Sequence, residues 1–132
     1  AADGGVLVAD IPTEDEWEYA CRATTTTAFN NDQPISNIES DSALGSIAHY
    51  NKSNGAPRPV GSFAPNKWGF YDMHGNLQEW TQDRFLRGGS WDSKAAACRS
   101  ASRNQTTREA GPSKQTGFRL VLRLCNPAGK EK

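Results

Sequence analysis

The chain has 132 residues and a formal net charge of zero, which gives room for a single domain over 1–132 and no more. Leu, Ile, Val and Phe fill only 20 of 132 positions, yet four Trp and 12 Gly accompany them. That combination predicts an aromatic, loop-rich globular core rather than disorder, which would demand a high net charge. No run nears the roughly 18 apolar residues of a membrane span, and the first residues do not read as a signal peptide, so no membrane span is expected.

The charge is unevenly placed. Residues 1–83 carry twelve acids against four bases, and residues 84–132 carry eleven bases against three acids. Two halves of opposite sign are expected to interleave and neutralise each other; a basic face for an acidic partner is the sharper alternative. No nucleic-acid partner is expected, because Lys and Arg nowhere cluster among aromatics. Cys21, Cys98 and Cys125 show no metal-binding spacing, and their odd number leaves at least one thiol unpaired within a monomer. A Cys21–Cys98 bridge stays open, with buried free thiols the plainer expectation.

Residues 1–10 predict a frayed or edge-pairing lead-in. Pro12-Thr13-Glu14-Asp15-Glu16 is a helix start: Thr13 is the N-cap, Glu16 closes a capping box, and the acids face the positive end of the dipole. Trp17, Ala20 and Cys21 then make a narrow buried stripe. The four threonines from Thr24 end the helix near Ala23. Residues 28–58 lack a period, with Ile35, Ile38, Leu44, Ile47 and Tyr50 as scattered anchors. So long a connection is functional or is tied down by something other than strands.

The run from Asn66 to Trp80 is the most informative. Its aromatics, broken by Gly69 and Gly75, suit large rings anchored in a core while the backbone turns sharply. Asp72 and Glu79 are its only acids, and Gly75-Asn76 between them permits positive φ. Both carboxylates and some carbonyl oxygens are thereby directed towards one point, a set that suits a hard cation, calcium before magnesium. His74 reads as a turn or packing residue. At the end, Phe118, Leu120, Leu122 and Leu124 alternate with Arg119, Val121 and Arg123, predicting a half-buried antiparallel strand with Phe118 in the core.

Four motifs stand in order: Ile-Pro-Thr-Glu-Asp-Glu-Trp-Glu-Tyr-Ala (11–20), the 66–80 run, Leu-Arg-Gly-Gly-Ser-Trp (86–91) and Gly-Phe-Arg-Leu (117–120). In these the chain resembles the formylglycine-generating-enzyme/sulfatase-modifying-factor domain. The resemblance implies an α+β fold of C-type-lectin type, loop-rich, with short antiparallel strands and few helices. It also departs from the pattern. Only Thr81 to Leu86 separate Trp80 from Arg-Gly-Gly-Ser-Trp, where relatives commonly spend tens of residues, so the domain is shortened relative to the family.

The resemblance further implies a calcium ion held by the carboxylates of Asp72 and Glu79 and the backbone oxygens of Gly75 and Leu77. The family's founding enzymes oxidise a cysteine of a substrate protein, using copper(I) between two thiolates spaced Cys-x4-Cys. Ala95 and Ser100 fall at those positions, and neither side chain binds copper, so no copper is expected. The stretch 91–116 is instead polar and aperiodic between rigid motifs, as a displayed surface is. Its position is similar to the diversified segment in variable proteins of diversity-generating retroelements. Trp91, Asp92, Ser93, Lys94, Ser100, Ser102, Asn104, Thr106 and Arg108 are expected to face a ligand. Trp91 is expected at the edge of that set, with Cys98, Ala101 and the Arg103 stem turned inward.

The reading is therefore a non-catalytic C-type-lectin-like module that binds a protein or other macromolecule. The alternative is a diverged formylglycine-generating-type oxidase, or a regulatory subunit whose partner supplies the missing half of the domain. Compartment and oligomeric state stay open.

Overall fold

A computed structural model describes residues 4–106 and 111–126. Strand β1 (Val6–Asp10) leads into helix α1 (Glu14–Arg22), and a four-residue helix α2 (Ser42–Gly45) interrupts the long connection that follows. Then come β2 (Gln78–Trp80), β3 (Phe85–Arg87), a 3₁₀ turn (Ala95–Cys98), β4 (Arg103–Gln105), β5 (Thr116–Gly117) and β6 (Val121–Cys125). The strands form two sheets: β1 with β6, and a mixed sheet in the order β4-β3-β2-β5. In the latter, β2 runs antiparallel to β3 and parallel to β5. This is the α+β, loop-rich architecture the motifs imply. Among the described residues no helix is long and apolar enough to cross a membrane.

Local chemistry accounts for α1. The Thr13 side chain accepts the Glu16 N–H, and the Glu16 carboxylate accepts the Thr13 N–H at 2.9 Å, closing the capping box. Ala23 ends the helix in a left-handed conformation, its N–H donating to the Tyr19 carbonyl. Trp17 and Cys21 are buried against Met73. A second cluster joins Phe29, Leu44, Ala48 and Tyr50 to Ala95 and Cys98.

The long connection is pinned by a polar knot. Buried Asp41 accepts N–H bonds from Ser36 (2.7 Å), Asn37 and Ala43, while the Tyr50 hydroxyl donates to the Asp41 carbonyl at 2.6 Å. The Ser36 N–H and its companions favour the charged carboxylate and hold Asp41 down at about 2. A single carboxylate thus anchors a segment with few buried apolar side chains.

Opposite charges from the two halves meet, as composition implies. Arg87 bonds Glu14 and Glu18, Arg123 bonds Asp10 and Glu16, Arg119 bonds Glu79, and Lys94 bonds Glu39.

Two apolar expectations are corrected. Trp68, Phe70 and Tyr71 of the central run are 41%, 39% and 44% exposed; the buried members there are Asn66, Met73, His74, Asn76 and Glu79. Polar side chains that satisfy the irregular backbone take the interior, and Trp68 lies against Tyr19 on the surface, ring centroids 4.9 Å apart. The C-terminal alternation makes a strand only over Val121–Cys125, with 118–120 outside it, and its faces are reversed. Phe118 is 66% exposed and Leu120, Leu122 and Leu124 point outward with it. Arg119 and Arg123 turn inward because buried or half-buried acids wait there for them.

Two glycines of the central run separate strain from crowding. Gly75 has φ +72, and a Cβ there would strike the His49 carbonyl oxygen, whereas Gly69, at φ +84, has open space around it. Gly69→Ala should cost about 1–2 kcal/mol of left-handed backbone strain. Gly75→Ala should exceed the roughly 1–3 kcal/mol that strain alone imposes. Urea midpoints of the two variants check this; equal losses would show that the Gly75–His49 contact relaxes freely.

Candidate functional site

The central run is built around Glu79. Its buried carboxylate accepts the Trp17 indole N–H at 2.6 Å and the Arg119 Nε–H at 2.6 and 2.9 Å on its two oxygens. Arg119 Nη2 reaches on to the carbonyls of Tyr71 (2.8 Å) and Asp72 (3.3 Å). Burial pushes the Glu79 carboxyl up, against the pull of the Arg119 guanidinium. Arg87 completes the surroundings: its guanidinium lies 5.4 Å from the Trp17 ring and donates to the Ser100 carbonyl at 3.0 Å.

Of the four residues expected to hold calcium, Glu79 has most of its acceptor capacity committed to Arg119 and Trp17. Asp72 sits in a left-handed turn (φ 55), with one carboxylate oxygen accepting the Gly61 N–H at 2.8 Å. Gly75 and Leu77 lie between them on the same turn. The Gly75 N–H donates to Gly88, and the Asn76 N–H donates to His49 at 2.8 Å. The set keeps oxygen ligands, but its strongest carboxylate already has a counter-charge within the chain.

His74 is a packing residue. Its Nδ1 lies 2.6 Å from the Cys98 carbonyl, which only accepts, so Nδ1 carries the proton and Nε2 accepts the Asn30 N–H. Cys21 Sγ lies 3.8 Å from that Nε2. All three cysteines are free and buried, and burial pushes the Cys21 and Cys98 thiols up to about 12. Protonated, enclosed thiols are poor nucleophiles. Ala95 and Ser100, at the positions of the family's copper thiolates, are fully buried.

The segment 91–116 divides. Asp92, Lys94 and Asn104 are exposed, and Ser93, Ser102 and Thr106 are half-buried at the surface. Trp91 is only 8% exposed and Ser100 not at all, which corrects the expectation that both face outward. Loop 51–55 lies over Trp91: Lys52 N–H donates to its carbonyl at 2.8 Å, and Gly55 packs on its ring. Ser100 is drawn in because its N–H donates to Ala28 at 2.8 Å and its hydroxyl meets Cys21. Cys98 is inward as expected. Ala101 is exposed, and Arg103 spreads over the Phe85 ring at 4.0 Å while reaching Glu14 at 3.5 Å. Arg108 lies outside the described residues.

Ser93, Ser102 and Asn104 come together with Gln78, Leu86, Gly89, Ala97 and Arg103 around a hollow of about 260 Å³. Gln78 was not singled out from sequence, and Arg103 was expected as an inward support; they reach the rim through β2 and β4, flanking β3 in the sheet. A larger open hollow, about 560 Å³, lies under residues 40–63, with His49, Tyr50, Lys52, Arg58 and Phe63 on its walls. Its sequence marks scattered anchors such as Leu44, Ile47 and Tyr50 without a period, and nothing in it pointed to a concavity.

An α+β scaffold of C-type-lectin type, carrying a polar concavity lined from β2, β3, β4 and the turn at Gly89 and Ser93, defines the class. Residues 6–124 match the sulfatase-modifying factor enzyme 1-like domain, and the chain belongs to that family. The formylglycine-generating enzyme of Mycobacterium tuberculosis is 34% identical over 96 residues, covering 67% of this chain and 31% of that protein. Inactive C-alpha-formylglycine-generating enzyme 2 of Mus musculus is 31% identical over 139 residues, covering 92% of this chain and 44% of that protein. The solved structure of Treponema denticola variable protein 1 superposes with a TM-score of 0.71 at 29% identity, covering 90% of this chain and 48% of that one. The chain thus spans less than half the length of these relatives.

Acid titration tests the His74 assignment. Burial lowers its imidazole from 6.5 to about 4, so between those pH values the unfolded chain takes up a proton that the folded chain refuses. His74 therefore withdraws stability as pH falls through that window, by at most about 1.4 kcal/mol per pH unit. The raised Glu79 carboxyl acts in the opposite sense, favouring the folded chain as pH falls. Ring resonances of His74 should stay those of a neutral imidazole at pH 5.5; half-protonation near 6.5 would contradict a closed interior.

Proposed function

We propose that this chain is a non-catalytic binding module, presenting the exposed part of 91–116 to a protein or other macromolecular ligand. The observation that carries the reading is the hollow where Ser93, Ser102, Asn104 and Arg103 converge. Short polar side chains and one guanidinium are displayed there on a sheet whose support is buried elsewhere. Trp91 and Ser100 serve as supports beneath the surface, and Asp92, Lys94 and Asn104 as contacts. The likeness to a variable protein and to an inactive family member supports the same reading. A retroelement origin is its most specific form, and a near-copy of the gene's 3′ end, differing chiefly at adenines, would mark it.

Calcium enters the proposal as a structural ion on Asp72, Gly75, Leu77 and Glu79, bound through the acceptor capacity that Arg119 and Trp17 leave on Glu79. Elemental analysis of the purified chain, with melts in chelator and in excess calcium, decides it; metal-free protein with an unmoved midpoint removes the ion from the account.

Display and support should separate in a substitution scan read out by folding. Changes at Asp92, Lys94, Ser102 and Asn104 should each stay within about 0.5 kcal/mol. Trp91→Ala should cost roughly 3–5 kcal/mol, as truncating a buried aromatic does. If the displayed set proves as intolerant as Trp91, those residues are structural and the module reading fails.

A further inference from the structure

Residues 40–63 enclose the larger hollow, about 560 Å³, which falls within the roughly 300–1,000 Å³ of small-molecule sites. Two cations stand on its wall, Lys52 and Arg58, and neither has a carboxylate partner among the described residues. Elsewhere Lys67, Arg87, Lys94, Arg119 and Arg123 all meet acids. The one carboxylate lining the hollow, Asp41, is 1% exposed and already accepts from Ser36, Asn37 and Ala43. The loop that carries the two cations is fastened at several points. The Lys52 N–H donates to the Trp91 carbonyl at 2.8 Å. The buried Asn76 side chain holds both backbone groups of Arg58, accepting its N–H at 2.8 Å and donating to its carbonyl at 3.2 Å. Between them, His49 Nε2 donates to the Ala56 carbonyl at 2.9 Å.

We propose that this hollow binds a small phosphate monoester whose carrier bears hydroxyl groups. Such an ester is close to doubly negative at neutral pH and presents three strong acceptor oxygens. The Arg58 fork and the Lys52 ammonium match it with two charges and several donors. Arg58 lies 6.0 Å from the Phe63 ring, and no described residue accepts from its guanidinium. Because the backbone under both cations is already fastened, binding orders little beyond their side chains. The carrier meets polar walls. Ser40 and Ser42 bring exposed hydroxyls, and the Ala56 bond leaves His49 Nδ1 as an acceptor. These side chains lie outside 91–116, so the site stands or falls apart from the display surface.

Amide shifts of the isotope-labelled full chain, titrated with glucose 6-phosphate to about 10 mM, test this. The expected result is a saturable change centred on the amides of Lys52, Arg58 and Phe63. Arg58→Gln, and independently Lys52→Gln, should weaken binding about tenfold or more, as losing a charged hydrogen bond does. Both side chains are exposed, so the melts of these variants should match the parent. Lys114→Gln removes the same charge from another exposed position and should leave the affinity unchanged. Glucose and inorganic phosphate should each bind more weakly, the first lacking the charge and the second the carrier. Equal binding of either would overturn the proposal. So would binding that both folded glutamine variants retain, or the absence of any saturable change.

Discussion

A buried carboxylate with two donors from distant parts of the chain holds this fold together. Glu79 takes the Trp17 indole from α1 and the Arg119 guanidinium from the segment between β5 and β6. Ionising an isolated carboxylate in that interior would be expensive, so the fold depends on all three elements arriving together. Arg119 then carries the link onward to the Tyr71 and Asp72 carbonyls, stitching the central turn to the segment that leads into the last strand. In a domain with so little aliphatic content, such charge-assisted contacts do much of the positioning that apolar layers do elsewhere.

The same logic explains the loops. Asp41 organises the connection after α1, His74 bridges Asn30 to Cys98, and Arg87 bridges α1 to Ser100. Each is a buried polar group with several hydrogen-bond partners, and each fixes an irregular backbone that has no ladder of its own. A loop-rich scaffold fastened this way leaves its outer turns free to vary. Asp92, Lys94 and Asn104 lie on it without entering the core.

Local signals were legible in the sequence. Thr13 and Glu16 announce the capping box, and the ordered motifs announce the family and its α+β fold. What escaped was long-range. Alternation from Phe118 to Leu124 gives a strand in its second half, Val121–Cys125, but period two does not say which face is covered. Arg119 and Arg123 chose the inner face because Glu79 and Glu16, 40 and 107 positions away, lie there. Trp91 reads as an exposed anchor until loop 51–55 is seen folded over it. Ser100 reads as surface until Ala28 and Cys21 are seen beside it. In each case the deciding contact joins segments whose own composition carries no trace of the partner.

The direct test of this account is a double-mutant cycle on Glu79 and Arg119 by denaturant unfolding. Arg119→Gln leaves a buried carboxylate without its cation and should cost roughly 3–5 kcal/mol. Adding Glu79→Gln should recover part of that loss, giving a coupling beyond about 1 kcal/mol, as for residues that share one ion pair. Additive losses, within about 0.5 kcal/mol, would show two independent side chains and contradict the claim that this pair holds the fold.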